Sequence, residues 1–165
     1  MSKPTTENAN IDPYSEIIEL LASTGIDYKL IRHEPVFTSK QAEAISGLSL
    51  SQGAKSILLS AGDIFVLAIL PGDKKLDTKK LARYLGIKRV RFATEAEVEQ
   101  IMHCKVGACY PFGSFINTRV VVDPTLPIEE KIAFNPGKND QSIIMSCSDY
   151  LKVACPEIQD IAKNS

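Results

Sequence analysis

The sequence predicts a mixed α/β fold, a curled sheet partly covered by helices, and two observations lead there. Helical segments with capping signals and short β-branched runs follow in the order helix, strand, helix, two strands, helix, strand, helix, three strands, helix, which is neither all-β nor a regular alternation. One run, Ile64 to Leu70, is apolar on both faces, as a central strand requires. The 165 residues are 44% hydrophobic and 24% charged, enough for one core. A single domain is expected over 13–160, behind a disordered tail over 1–12.

Asp12-Pro13 opens a helix with Ile17, Ile18, Leu20 and Leu21 as its apolar stripe and Gly25 as its stop. Asp27 to His33 reads as a strand, and Pro35 ends it. Thr38 and Gln41 make a capping box for a short helix reaching Gly47. Ser56 to Ser60 and Ile64 to Leu70 flank Ala61-Gly62-Asp63 as a hairpin, which Pro71-Gly72-Asp73 closes off. Asp77 caps a helix through Leu85, with Gly86 as a left-handed stop. Arg89 to Ala93 is a strand, Thr94 and Glu97 box in a helix over Glu95 to Met102, and Gly107 to Gly113 is a Gly- and Pro-rich loop. Strands follow at Arg119 to Asp123, Lys131 to Phe134 and Ser142 to Ser146; Ser148 opens a last helix that Pro156 ends.

A net charge of -1 excludes a protein that coats nucleic acid through bulk charge. The charge is segregated, however. Lys74, Lys75, Lys79, Lys80, Arg83, Lys88, Arg89 and Arg91, opposed only by Asp77, give residues 74–91 a local +7 and leave -8 to the rest. That suits a local grip on a phosphate backbone, or equally a solvated helix face. With Tyr84 and Phe92 the only aromatics there, base stacking is unsupported. The longest apolar run is far too short for a bilayer span and the opening residues have no signal-peptide core, so a cytoplasmic protein with no membrane partner is expected.

Cys104, Cys109, Cys147 and Cys155 form no CxxC and have no histidine pair at zinc-finger spacing. No metal is expected, and the thiols read as reduced core residues, with Cys109 the exception. His33 and His103 are isolated in the chain, so no Ser-His-Asp or Cys-His pairing can be read from spacing. Neither a GxxxxGK[ST] loop nor a GxGxxG turn is present, and no cofactor is expected.

Three places can carry chemistry. In Gly53-Ala54-Lys55-Ser56-Ile57-Leu58-Leu59 a cation enters an apolar strand behind two small residues; period two sets Lys55 with Ile57 and Leu59, facing a cleft or snorkelling from an edge. Gly107-Ala108-Cys109-Tyr110-Pro111-Phe112-Gly113 can hold backbone N–H groups in a fixed curve, or simply cross from helix to strand. Phe134 to Asp140 is a turn whose Asn135 and Lys138 suit either turn chemistry or the rim of a ribose or phosphate site.

His33-Glu34-Pro35-Val36-Phe37-Thr38, Gly53-Ala54-Lys55 before an apolar strand, the G-x-x-x-P loop at Gly107 to Pro111, Phe134 to Asp140 and Ser148-Asp149-Tyr150-Leu151, in this order, resemble the YbaK-like, prolyl-tRNA-synthetase-associated editing domains. The resemblance implies a barrel-like mixed α/β domain. It also implies trans-editing: hydrolysis of the ester joining a wrong small amino acid, alanine or cysteine, to a proline tRNA. The partner is the mischarged acceptor end, with an aminoacyl-tRNA synthetase as a further candidate and DNA excluded. In that family the lysine matching Lys55 is essential and the loop matching Gly107 to Pro111 shapes the site; some branches carry histidine where this chain has Asn135. Lys55, Gly107 and Pro111 are therefore the candidate catalytic residues. Thr38, Ala108, Cys109, Tyr110, Asn135, Gly137 and Lys138 are candidate substrate contacts, and Lys74, Lys75, Lys79, Lys80 and Arg83 candidates for holding tRNA. An activated ester needs a positioned water, donors for the oxyanion and a grip on the terminal adenosine, whose 2′-hydroxyl can orient the water; Lys55 would act as a protonated anchor. The alternatives are a non-catalytic tRNA- or synthetase-binding module of the same shape and a small-molecule hydrolase or lyase using the same cleft without tRNA.

Overall fold

The structure is a computed structural model that describes residues 11–35 and 38–164. Residues 1–10 of the expected tail, and Val36 and Phe37 of the first motif, lie outside the described residues. The helices are α1 (Pro13–Ser23), α2 (Ser39–Ser46), α3 (Thr78–Leu85), α4 (Glu95–Met102) and α5 (Cys147–Ala154). The strands are β1 (Tyr28–Arg32), β2 (Ala54–Ala61), β3 (Ile64–Pro71), β4 (Arg91–Phe92), β5 (Arg119–Val122), β6 (Lys131–Phe134), β7 (Gln141–Ser146) and β8 (Glu157–Ile158).

Both capping boxes form as read: Gln41 N–H donates to Thr38 Oγ1 at 3.1 Å ahead of α2, and Glu97 N–H to Thr94 Oγ1 at 3.1 Å ahead of α4. The assignment of elements changes in three places. The strand read over Arg89 to Ala93 shrinks to β4, whose two exposed residues reach only Leu59 and Ser60. Ser146, not Ser148, caps α5, accepting from Asp149 N–H while Ser148 bonds its hydroxyl. The strand β8 was missed, because two residues offer no alternation to read.

The strands form two sheets instead of one. β1, β7 and β6 make an antiparallel three-stranded sheet; β4, β2, β3, β5 and β8 make a mixed five-stranded one in which β5 runs parallel to β3 and β8 parallel to β5. Neither closes, so the barrel-like expectation does not hold: the larger sheet ends in two-residue edge strands on both sides, too short to pair onward. A bridge between Gly53 and Ala133 joins the two sheets where β2 begins.

β3 is central and buried on both faces, as its apolar run requires. Phe65, Leu67 and Ile69 enter a core shared with α1, α4 and the small sheet, while Val66, Ala68 and Leu70 enter a second core under α3. That second core includes Ile161 and Ala162, so the chain stays packed past residue 160. At the other end Asp12 caps α1, its carbonyl accepting from Glu16 N–H at 3.1 Å. No helix among the described residues is long and apolar enough to cross a membrane.

Candidate functional site

β2 opens where the two sheets meet. Lys55 lies opposite Leu70 at the end of β3, and the turn beyond is tied back by Gly72 N–H, which donates to Gly53 C=O at 2.8 Å and to Leu50 C=O at 3.1 Å. This junction leaves a cavity of about 240 Å³ between the start of β2, α2, the turn after β6 and the loop that follows α4. Of the residues singled out in the sequence, Thr38, Lys55, Gly107, Cys109 and Asn135 line it.

The others are elsewhere. Ala108, Tyr110 and Pro111 belong to the loop but are buried: Tyr110 O–H donates to Met102 C=O at 2.9 Å, and Tyr150 O–H to Pro111 C=O at 2.7 Å. Gly137, in a left-handed turn at φ 82°, packs on Pro13, and Lys138 Nζ sits 5.2 Å from the centre of the Tyr14 ring, so both fasten the turn to α1. Asn135 holds the same turn from the cavity side, its Nδ2 donating to Gln141 C=O at 2.9 Å and Lys138 C=O at 3.3 Å.

The Lys55 ammonium is half-buried and donates to the Lys74 carbonyl. Burial holds its pKa below the ordinary lysine value; Asp73 acts against this and Lys75 adds to it. An ammonium has three donors, so the Lys74 bond leaves two for a ligand.

Cys109 differs from Cys104 and Cys147, whose pKa values are raised. Its sulfur accepts a hydrogen bond from the Cys104 thiol, which lowers its pKa; burial opposes this, and the backbone N–H groups of Gly107 and Cys109 lower it further. Cys104, the donor, is pushed up. Loop amides that converge on a sulfur inside a cavity can also meet an oxygen gaining negative charge. Cys104 and Cys147 are buried, whereas Cys155 is exposed and does not serve the core.

Sequence reasoning did not single out Glu43, Ser46, Ser49, Ser56 or Ser142, which also line the cavity. Ser142 lines the cavity, its hydroxyl lies 2.8 Å from His33 Nε2, and these positions are 109 residues apart, so no spacing rule could pair them. Ser56 also lines the cavity, and its Oγ is buried without a partner among the described residues. Its place beside Lys55 at the mouth of an apolar strand was the available signal.

The basic segment begins at the rim, since Gly72 lines the cavity and Lys74 holds Lys55. Asp77 Oδ1 caps α3, accepting from Lys79 N–H at 3.0 Å and Lys80 N–H at 3.2 Å. Lys79 and Arg83, one turn apart on α3, are exposed; Lys75 is exposed and Lys74 partly so. Lys80 is turned inward, donating to Asp160, to Ala162 C=O at 2.7 Å and to Asn164 Oδ1 at 3.1 Å, so it secures the C-terminal segment.

Comparison with known proteins matches residues 33–153 to the model of the aminoacyl-tRNA editing domain family. The chain is 34% identical over 157 residues to the "Multifunctional Ser/Thr-tRNA deacylase ProXp-y" of Escherichia coli K12, covering 92% of this chain and 94% of that one. It is 27% identical over 150 residues to the "Prolyl-tRNA editing protein ProX" of Acetoanaerobium sticklandii, covering 87% and 92%. A solved structure described as a candidate trans-editing enzyme for prolyl tRNA synthetase shares the fold, with a TM-score of 0.82 at 19% identity over 93% of this chain and 99% of that one. The order of motifs, the cavity at the head of β2 and these matches lead to one conclusion: the chain belongs to the aminoacyl-tRNA editing domain family.

Proposed function

We propose that this protein hydrolyses the ester of a small amino acid misattached to tRNA, acting in trans on the acceptor end. The observation that carries this reading is the single cavity that brings Lys55, Gly107 and Cys109 together from distant parts of the chain. The Lys55 ammonium anchors the terminal phosphate or ester carbonyl, and the Gly107 amide meets the developing oxyanion, a preorganised donor worth about a hundredfold or more in rate. Because the ester is already activated, a positioned water can attack it directly and no covalent intermediate is needed. Lys74, Lys75, Lys79 and Arg83 lie on the segment that starts at the cavity rim and hold the phosphates.

The cavity is small, which suits a sieve that admits the residues a synthetase separates poorly, those differing by about 1–3 kcal/mol in binding. Alanine and cysteine on proline tRNA are the substrates the sequence motifs imply. Serine and threonine form a second reading, favoured by the unpartnered Ser56 hydroxyl beside the cavity and by the name of the Escherichia coli relative. A synthetase that delivers the tRNA is a further partner on this reading. The test is a panel of tRNAs charged with alanine, cysteine, serine and threonine, incubated with wild type and Lys55→Ala. Wild type is expected to release at least one amino acid and the variant to lose about a hundredfold or more of that rate with an unchanged circular dichroism spectrum. Tight tRNA binding without cleavage would instead favour the non-catalytic module.

A further inference from the structure

We infer that His33 and Ser142 form a proton relay that deprotonates the attacking water, an inference that rests on the deacylase reading above and supplies the base it lacks. His33 follows β1, and its backbone N–H donates to Asp140 C=O at 2.9 Å, which sets the ring against the start of β7. Ser142 is the second residue of β7, only 5% exposed, and is one of the residues that line the cavity.

The ring's proton positions follow from its partners. Nδ1 lies 2.7 Å from the Glu34 carbonyl, which can only accept, so Nδ1 carries a hydrogen. In the neutral ring Nε2 therefore holds a lone pair, and the Ser142 hydroxyl donates to it at 2.8 Å. An imidazole fixed by an acceptor at one nitrogen and bonded to a cavity hydroxyl at the other is the arrangement by which enzymes activate hydroxyl groups. The charged residues on the elements around this ring are Arg32 and Glu34, its neighbours in the chain, Asp140, whose carbonyl accepts from the His33 N–H, and Glu43 and Lys55 on the cavity wall.

In the step, a water O–H bond breaks and its proton passes to Ser142 Oγ while the Ser142 proton passes to His33 Nε2. The hydroxide oxygen bonds to the acyl carbon. When the tetrahedral intermediate collapses, the bond from that carbon to the ribose oxygen breaks, and the proton returns from His33 through Ser142 to the departing oxygen. The Glu34 carbonyl steadies the imidazolium through Nδ1–H.

The experiment measures single-turnover deacylation of the preferred mischarged tRNA for wild type, His33→Gln, Ser142→Ala and Ser142→Thr, with folding checked by circular dichroism. His33→Gln keeps a hydrogen-bonding group toward Ser142 but cannot take a proton. It should lower kcat about a hundredfold and leave KM nearly unchanged. Ser142→Ala should fall equally, and Ser142→Thr should recover most of the rate. A folded His33→Gln with the wild-type rate, or an acyl group trapped on Ser142, would overturn the relay while leaving the deacylase reading intact, provided Lys55→Ala is inactive. A wild type that cleaves no mischarged tRNA would overturn both.

Discussion

Asp123 shows what one buried carboxylate does for the fold. It is 1% exposed; Oδ1 accepts from Ile161 N–H at 2.8 Å and Ala162 N–H at 2.9 Å, and Oδ2 from Thr125 N–H at 3.0 Å and the Thr125 hydroxyl. Burial alone would raise its pKa, but these hydrogen bonds outweigh burial and hold it below the ordinary aspartate value. Because the folded-state pKa is depressed, the stabilisation is present above the unfolded value of about 3.9 and is lost as pH falls through the folded value. Asp123→Ala should cost about 3 kcal/mol in urea unfolding at pH 7 and lose less stability than wild type on acidification below pH 5; a cost under about 0.5 kcal/mol would show that the C-terminal segment does not depend on it. At this scale Lys55 could be read from sequence, because a cation behind two small residues at the mouth of an apolar strand is unusual. The His33–Ser142 pair could not, since it exists only once β1 and β7 have paired.

At the scale of elements, local signals predicted the helices closely and the strands less so. Capping boxes are complete within four residues, so α2 and α4 start where Thr38 and Thr94 say; β4 and β8 depend on distant partners and leave no local trace. The loop from Gly107 to Gly113 is held by its glycines in two ways. Gly107 adopts φ 93°, which side chains disfavour, whereas Gly113 is needed for space: a Cβ there would lie 2.1 Å from the Thr118 carbonyl oxygen and 2.7 Å from Val120 Cγ2. Gly113→Ala should therefore destabilise by about 2 kcal/mol or more in thermal or urea unfolding, because a backbone oxygen cannot step aside. On α3, reversing charge at Lys79 and Arg83 together should weaken tRNA binding and flatten its dependence on salt by about two phosphate contacts, without altering the melting temperature. An unchanged salt slope would assign that face to solubility alone.

For the whole molecule, the class of fold was readable and its closure was not. Alternation reveals which residues a strand buries, as in β3, but not which strand lies beside it, and the barrel-like expectation gave way to two open sheets joined at Gly53 and Ala133. That junction is what gathers Lys55, the Gly107 loop, Asn135 and Ser142 around one cavity. The measurement that tests the account most directly is the rate of amino-acid release from mischarged tRNA by wild type beside Lys55→Ala. Release by wild type with loss of about a hundredfold or more in a folded variant is the predicted result. Equal rates for the two proteins would contradict it.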